Sequence, residues 1–207
     1  MAFTGWTRDD FTVFEIPGFE DRMAEIRAHI QPQLAALGEE LVPRLEQETG
    51  ESWFAHVAKH MRRTVNPPSD TWVAFNRIKR GYKATAHLSV GISAHGPNVV
   101  LVLKPECADK EMFANNIRRR ASEIARWSSG NANLLIGDVP NASFETLTPA
   151  KSVKAAGWKT IADDLLRPNR EFEAGFRLPA EPSDNRFTDL ALSRLRDLLT
   201  LYRLALP

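Results

Sequence analysis

The chain has 207 residues, 43% of them hydrophobic and 26% charged, with a formal net charge of +1. That length suits one domain, 1–207, which buries roughly 70% of its unfolded surface and so has a self-sufficient core. The composition excludes a disordered chain, a collagen-like chain and a general polyanion binder. Cys107 is the only cysteine, so neither an internal disulfide nor a cysteine-rich metal site can form. The opening residues lack the basic and apolar regions of a signal peptide, and no apolar run approaches the ~20 residues that span a bilayer. A cytoplasmic protein without membrane contact is the expectation.

Charge is unevenly spread. Residues 1–58 carry 4 Lys/Arg against 11 Asp/Glu, whereas residues 59–87 carry 7 Lys/Arg against Asp70 alone. Such asymmetry points to a partner or ligand for the basic stretch.

In chain order, Thr7 to Asp10 reads as an N-cap with a carboxylate three residues on, opening a short helix. Phe11, Phe14 and Ile16 then enter the core before Pro17-Gly18 turns the chain. Met23, Ile26, Ile30, Leu34, Leu37, Leu41 and Leu45 hold a helical period for six turns. Pro32 and Pro43 lie inside that stripe, which predicts a kink or break near residue 31. Stretches 71–78, 88–93 and 99–104 are β-branched or aromatic and bounded by turn residues, so they read as strands of one sheet. Residues 109–127 form a second helix with Phe113, Ile117, Ala121 and Ile124 on one face, and 134–139 is a strand. Residues 148–166 are expected as a helix opening at Thr148-Pro149. A strand at 171–178 and a terminal helix at 187–205, with Phe187, Leu190, Leu195, Leu198 and Leu201 inward, complete the pattern. Irregular alternation of helices and strands predicts an α+β fold, an antiparallel or mixed sheet covered by helices.

Residues 54–91 carry the most information. His56 to Arg63 fits strand or helix, with a strand running into Asn66-Pro67-Pro68 preferred. His56 and His60 are co-facial in either case. The run HVAKHMRRTVNPPSDTWVAF, then KRGYK and a histidine before a short strand, resembles the YktB-like family of small bacterial proteins of unknown function. FTVFEIPGFEDRM and the helical stripe after it are similar to that family too, so the resemblance covers nearly the whole chain. It implies a single α+β domain, a two-layer sandwich, in the cytoplasm, and it implies no established activity. The chain departs from it at Ala86-His87-Leu88, where Pro-His-Phe is expected.

Three functional readings compete. In the first, Lys59, Arg62, Arg63, Arg77, Arg80, Tyr82 and Lys83, together with Lys79, bind a phosphorylated or carboxylated small molecule, with nucleic acid a less favoured ligand. Arg supplies a fork for such anions and Lys a mobile point charge, while Trp72, Phe75 and Tyr82 can stack a ring. The competing explanation is a basic face paired with the acidic N-terminal helices, or a surface for a protein partner. The second reading is a metal held by His56, His60 and either His87 or His95, with Asp70. His56-Val-Ala-Lys-His60 lacks the glutamate of the zincin motif, and Lys59 inside it opposes a cation, so the anion reading is preferred. In the third, His60 or His87 is a general acid or base acting on an anionic substrate. Arg118 to Arg120 reads as the wet face of its helix. Dinucleotide, nucleophile-elbow and phosphate-loop patterns are absent, so no cofactor is named.

Overall fold

The computed structural model describes residues 2–61 and 63–207. Helices α1 (Arg8–Thr12), α2 (Phe19–Glu25) and α3 (Gln31–Thr49) precede β1 (Phe54–Val57), β2 (Asp70–Asn76), β3 (His87–Ser93) and β4 (Gly96–Leu103). Helix α4 (Lys110–Ser129), β5 (Leu135–Ile136), β6 (Thr148–Pro149), α5 (Ala155–Leu165), β7 (Phe172–Arg177) and α6 (Phe187–Tyr202) follow. The strands form one antiparallel sheet in the order β1-β2-β3-β4-β7-β5-β6. The fold is α+β. No helix among the described residues is long and apolar enough to cross a membrane.

Residue alternation divides the sheet into two unlike faces. Val73 and Phe75 of β2, Leu88, Val90 and Ile92 of β3, Val99, Leu101 and Leu103 of β4, and Phe172, Ala174 and Phe176 of β7 belong to the main apolar core. Helices α3 and α6 lie against this face, and Phe113 of α4 packs its ring 5.0 Å from Phe172. The alternate positions carry Trp72, Asn76, His87, Ser89, Asn98, Glu173 and Arg177, with a small apolar cluster of Val100, Val102 and Val139. Among the described residues no helix layer covers that second face. A strap, residues 137–147, crosses part of it instead, held where Ser93 Oγ donates to Pro140 O at 3.0 Å and Arg177 Nη2 donates to Ala142 O at 2.6 Å.

The helical stripe at 23–45 is not broken at its prolines: it passes through one π-helical turn ahead of Pro32, and Pro43 stands inside α3. That π-helical turn, Ile26–Ile30, leads directly into α3, with Gln31 N–H donating to Ile26 O, and Pro32 follows as the residue that cannot donate. Thr7 and Asp10 form the reciprocal cap on α1. Three further sequence expectations need correction. The helix expected from residue 148 starts at Ala155, because Thr148-Pro149 pairs with Leu135-Ile136 and a 3₁₀ turn intervenes. Leu190 is 40% exposed, on the outer side of α6, and not inward. The strand expected to reach Arg63 pairs only as far as Ala58, whose N–H donates to Trp72 O at 2.9 Å. His60 then adopts φ 51°, a left-handed conformation that no strand can continue.

Candidate functional site

The second sheet face carries two neighbouring cavities. The outer one has a volume of about 850 Å³ and lies over β1 and β2. The 58–61 loop brings Lys59, His60 and Met61 to its wall, β1 and β2 bring His56 and Trp72, and the turn after Gly81 brings Tyr82 and Lys83. Gly81 at φ 74° starts the 3₁₀ turn Tyr82–Ala84, a conformation that suits glycine. Arg63 also lines this space, and Glu106 is its one acidic wall residue among those described.

Polar side chains here are locked by one another. Trp72 Nε1 donates to Tyr82 Oη at 3.1 Å. The Tyr82 ring stacks on His56 at 5.3 Å and meets His87 edge-on at 4.9 Å. His56 Nε2 lies 3.0 Å from Ile78 O and 3.2 Å from Asn76 Oδ1, two acceptors that place its proton on Nε2. His60 Nε2 pairs with Thr71 Oγ1 at 2.9 Å. Burial, reinforced by the charges of Arg63 and Lys83, lowers the His60 pKa to about 4, so its ring is neutral at pH 7.

The inner cavity has a volume of about 30 Å³ in the centre of the sheet, where Asp70, His87, Ser89, Asn98, Lys104 and Glu173 line it together with Trp72, Val100, Val102 and Pro140 of the strap. Trp72 lines both cavities. Lys104 Nζ donates to Glu173 Oε1 at 3.1 Å and to Glu171 Oε2 at 2.9 Å. Burial pushes Glu173 up to about 7 despite Lys104, and burial with nearby Asp138 pushes Asp70 up to about 6. Burial holds His87 down to about 4, against the opposing hydrogen bond to Thr85.

These groups make a pH prediction. Glu173 and Asp70, raised above their ordinary 4.5 and 3.8, bind protons better folded than unfolded, so their stabilisation is lost as pH rises from about 4 to 7. His60 and His87, lowered from 6.5, act oppositely, and stability rises with pH from about 4 to 6.5. Urea denaturation should therefore find a nearly level stability across that window in the wild type. In Glu173→Gln one falling contribution is removed, and stability should climb with pH. A variant curve parallel to the wild type would contradict the shifts.

The structure brings Lys59, Arg63, Tyr82 and Lys83 together around the outer cavity, while Arg62 lies outside the described residues. Arg77 goes elsewhere, paired with Glu51 and 6.0 Å from the Tyr202 ring centre. Arg80 is exposed and does not line the cavity, and Lys79 lies 5.7 Å from the Phe54 ring centre. His56 and His60 share the outer cavity but are engaged by opposite ends of β2, through Asn76 and Thr71. His87 lines the inner cavity, and His95 sits in the β3–β4 turn. Among the described residues no three His, Cys, Asp or Glu side chains are grouped to hold a metal. Arg118 and Arg120 pair with Asp163 and Glu123 on the exposed side of α4. Cys107 is buried, and that burial pushes its thiol up to about 11. Sequence reasoning missed Asn98, Lys104 and Glu173. Glu173 alternates with Phe172, Ala174 and Phe176, so the sequence pattern sets it on the face away from the core and gives no sign that it is enclosed.

Residues 6–195 match the family model described as a domain of unknown function, DUF1054. The chain belongs to the DUF1054 family. Within it, the chain is 34% identical over 209 residues to a UPF0637 protein of Bacillus cytotoxicus, covering 99% of each chain. It is 42% identical over 201 residues to a UPF0637 protein of Lysinibacillus sphaericus, covering 95% of this chain and 93% of the relative. A UPF0637 protein of Staphylococcus carnosus is 43% identical over 124 residues, about 60% of either chain. This is the family to which the YktB-like run between Trp53 and Gly91 pointed.

Proposed function

We propose that the chain is a single-domain, cytoplasmic ligand-binding protein whose outer cavity takes a phosphorylated or carboxylated small molecule bearing a flat ring. The observation that carries this reading is convergence: Lys59, Arg63 and Lys83 reach one concave space of about 850 Å³ beside Trp72 and Tyr82, with Glu106 opposing them. A cavity of that size suits a small ligand, guanidinium and ammonium groups suit an anion, and the aromatic rings suit a planar group. Concavity favours this over a flat nucleic-acid or protein-facing surface.

Thermal denaturation with inorganic phosphate, nucleoside monophosphates and aromatic carboxylates tests the reading. At 100 times its Kd a ligand stabilises by about 2.7 kcal/mol, which raises the midpoint of a chain this size by about 5–10 °C. Lys59→Ala with Arg63→Ala should abolish that rise while the unliganded variant melts as the wild type does. An Arg77→Ala control should keep the ligand response. If no anion moves the wild-type curve, or the double variant still responds, the basic lining is only a wet surface.

A further inference from the structure

The outer cavity is larger than an anion alone requires. Its space of about 850 Å³ is that of a drug-sized molecule. Cations make only part of its wall, and Ala55, Val57, Met61 and Ala84 line it as well. Met61 is 83% exposed, more than any other large apolar side chain among the described residues. A methionine held in water on a cavity wall favours a ligand that covers it, in proportion to the apolar surface removed from water. Ring nitrogens of the same wall are already engaged. His56 Nε2 meets Asn76 Oδ1 and Ile78 O, His60 Nε2 pairs with Thr71 Oγ1, and Trp72 Nε1 donates to Tyr82 Oη. Hydroxyls or base edges on the body of a ligand would leave water and meet groups that are taken. Lys83 Nζ stands 5.6 Å from the centre of the Trp72 ring, so ammonium and apolar wall adjoin. Glu106 on that wall opposes a second negative charge. A phosphate monoester carries about 1.5 to 2 charges at pH 7, and a carboxylate carries one.

We propose that the ligand of the outer cavity is a hydrophobic carboxylic acid, its single carboxylate met by Lys59, Arg63 and Lys83 and its apolar body covering Met61 and Val57. The proposal rests on the anion reading and narrows it to one class of ligand. Nucleotides and sugar phosphates fall outside that class. Their ribose hydroxyls need partners where the wall's ring nitrogens are spent, and their second charge faces Glu106. A ring bearing an alkyl chain satisfies both halves of the cavity: the ring adjoins Trp72 and Tyr82, and the chain covers Met61.

Titration calorimetry with benzoate, p-ethylbenzoate, p-butylbenzoate and p-hexylbenzoate tests this, each kept below the concentration at which it self-associates. Kd should fall about fourfold for each methylene buried, and p-hexylbenzoate should bind more tightly than adenosine monophosphate. Met61→Ser, at a side chain already in solvent, should weaken p-hexylbenzoate about tenfold and leave benzoate unchanged. Glu106→Gln should tighten p-hexylphenyl phosphate about threefold and p-hexylbenzoate by less. A Kd that stays level along the series, an unaffected Met61→Ser, or tighter binding of adenosine monophosphate would overturn the proposal. If benzoate or phosphate still stabilises the protein in that case, the anion reading survives. p-Hexylbenzamide binding as tightly as p-hexylbenzoate would remove the carboxylate from recognition, and the anion reading would fall with the proposal. Binding of none of these compounds would overturn both.

Discussion

Lys104→Met is expected to cost about 3–5 kcal/mol of stability at pH 8 and far less at pH 4. At pH 8 the Glu173 carboxyl is ionised, deep in the sheet, and Lys104 is the cation that holds it at 3.1 Å. Methionine preserves most of the aliphatic stem and removes only the ammonium. Glu173 is then left as an uncompensated buried charge, with Glu171 and Asp138 nearby to worsen it. At pH 4 the carboxyl is protonated even in the wild type, since burial has already pushed it up to about 7. Adding Glu173→Gln to Lys104→Met should recover most of the loss at pH 8. Urea denaturation of the three variants at both pH values measures this, and equal losses at pH 4 and 8 would show that packing of the lysine stem matters more than its charge.

Gly175→Ala is expected to be comparably severe, about 3 kcal/mol or more, for a steric reason. Gly175 lies opposite Val100 where β7 pairs with β4. A Cβ there would stand 2.2 Å from Val99 O and 2.8 Å from Val100 Cα, backbone atoms of a central strand that cannot step aside. Insertion into a close-packed site costs strain even where side chains can adjust, and here they cannot. Gly130→Ala is the control: its Cβ would meet Trp127 O at 3.5 Å, an ordinary contact, and should change stability by about 0.5 kcal/mol or less. Chemical denaturation of the pair separates the two cases, and similar midpoints would refute the close approach.

Much of this architecture is legible in the sequence because periodicity reports burial. The spacing from Met23 to Leu45 belongs to a helix, and Leu88, Val90 and Ile92 alternate as a strand with one apolar face must. What the sequence obscures depends on long-range pairing. Thr148-Pro149 looks like a helix start because proline suits that position, and only its pairing with Leu135-Ile136 turns it into strand. The end of β1 depends on the conformation of His60, which its neighbours do not dictate. At the site, Lys59, Arg63, Tyr82 and Lys83 are close in sequence and their clustering could be suspected. Asp70, His87, Asn98, Lys104 and Glu173 come from four different strand regions, and β7 joins β4 across an intervening helix pair. Their convergence requires the register of each pairing, which no local pattern supplies. Arg77 misled for the same reason: neighbouring Asn76 and Ile78 anchor His56, while Arg77 itself reaches Glu51.

The left-handed turn at His60 also bears on what this protein does in crowded solution. An open sheet has two margins, and each offers unpaired backbone groups to any other extended chain. Here β1 forms one margin, and its four residues followed by Ala58 are all it can offer before His60 bends the backbone away. The opposite margin, β6, is two residues long and ends in Pro149, which has no N–H to donate. Neither margin is long enough to template a second molecule, so the wide seven-stranded sheet is protected from fibril growth without a helix placed over its ends.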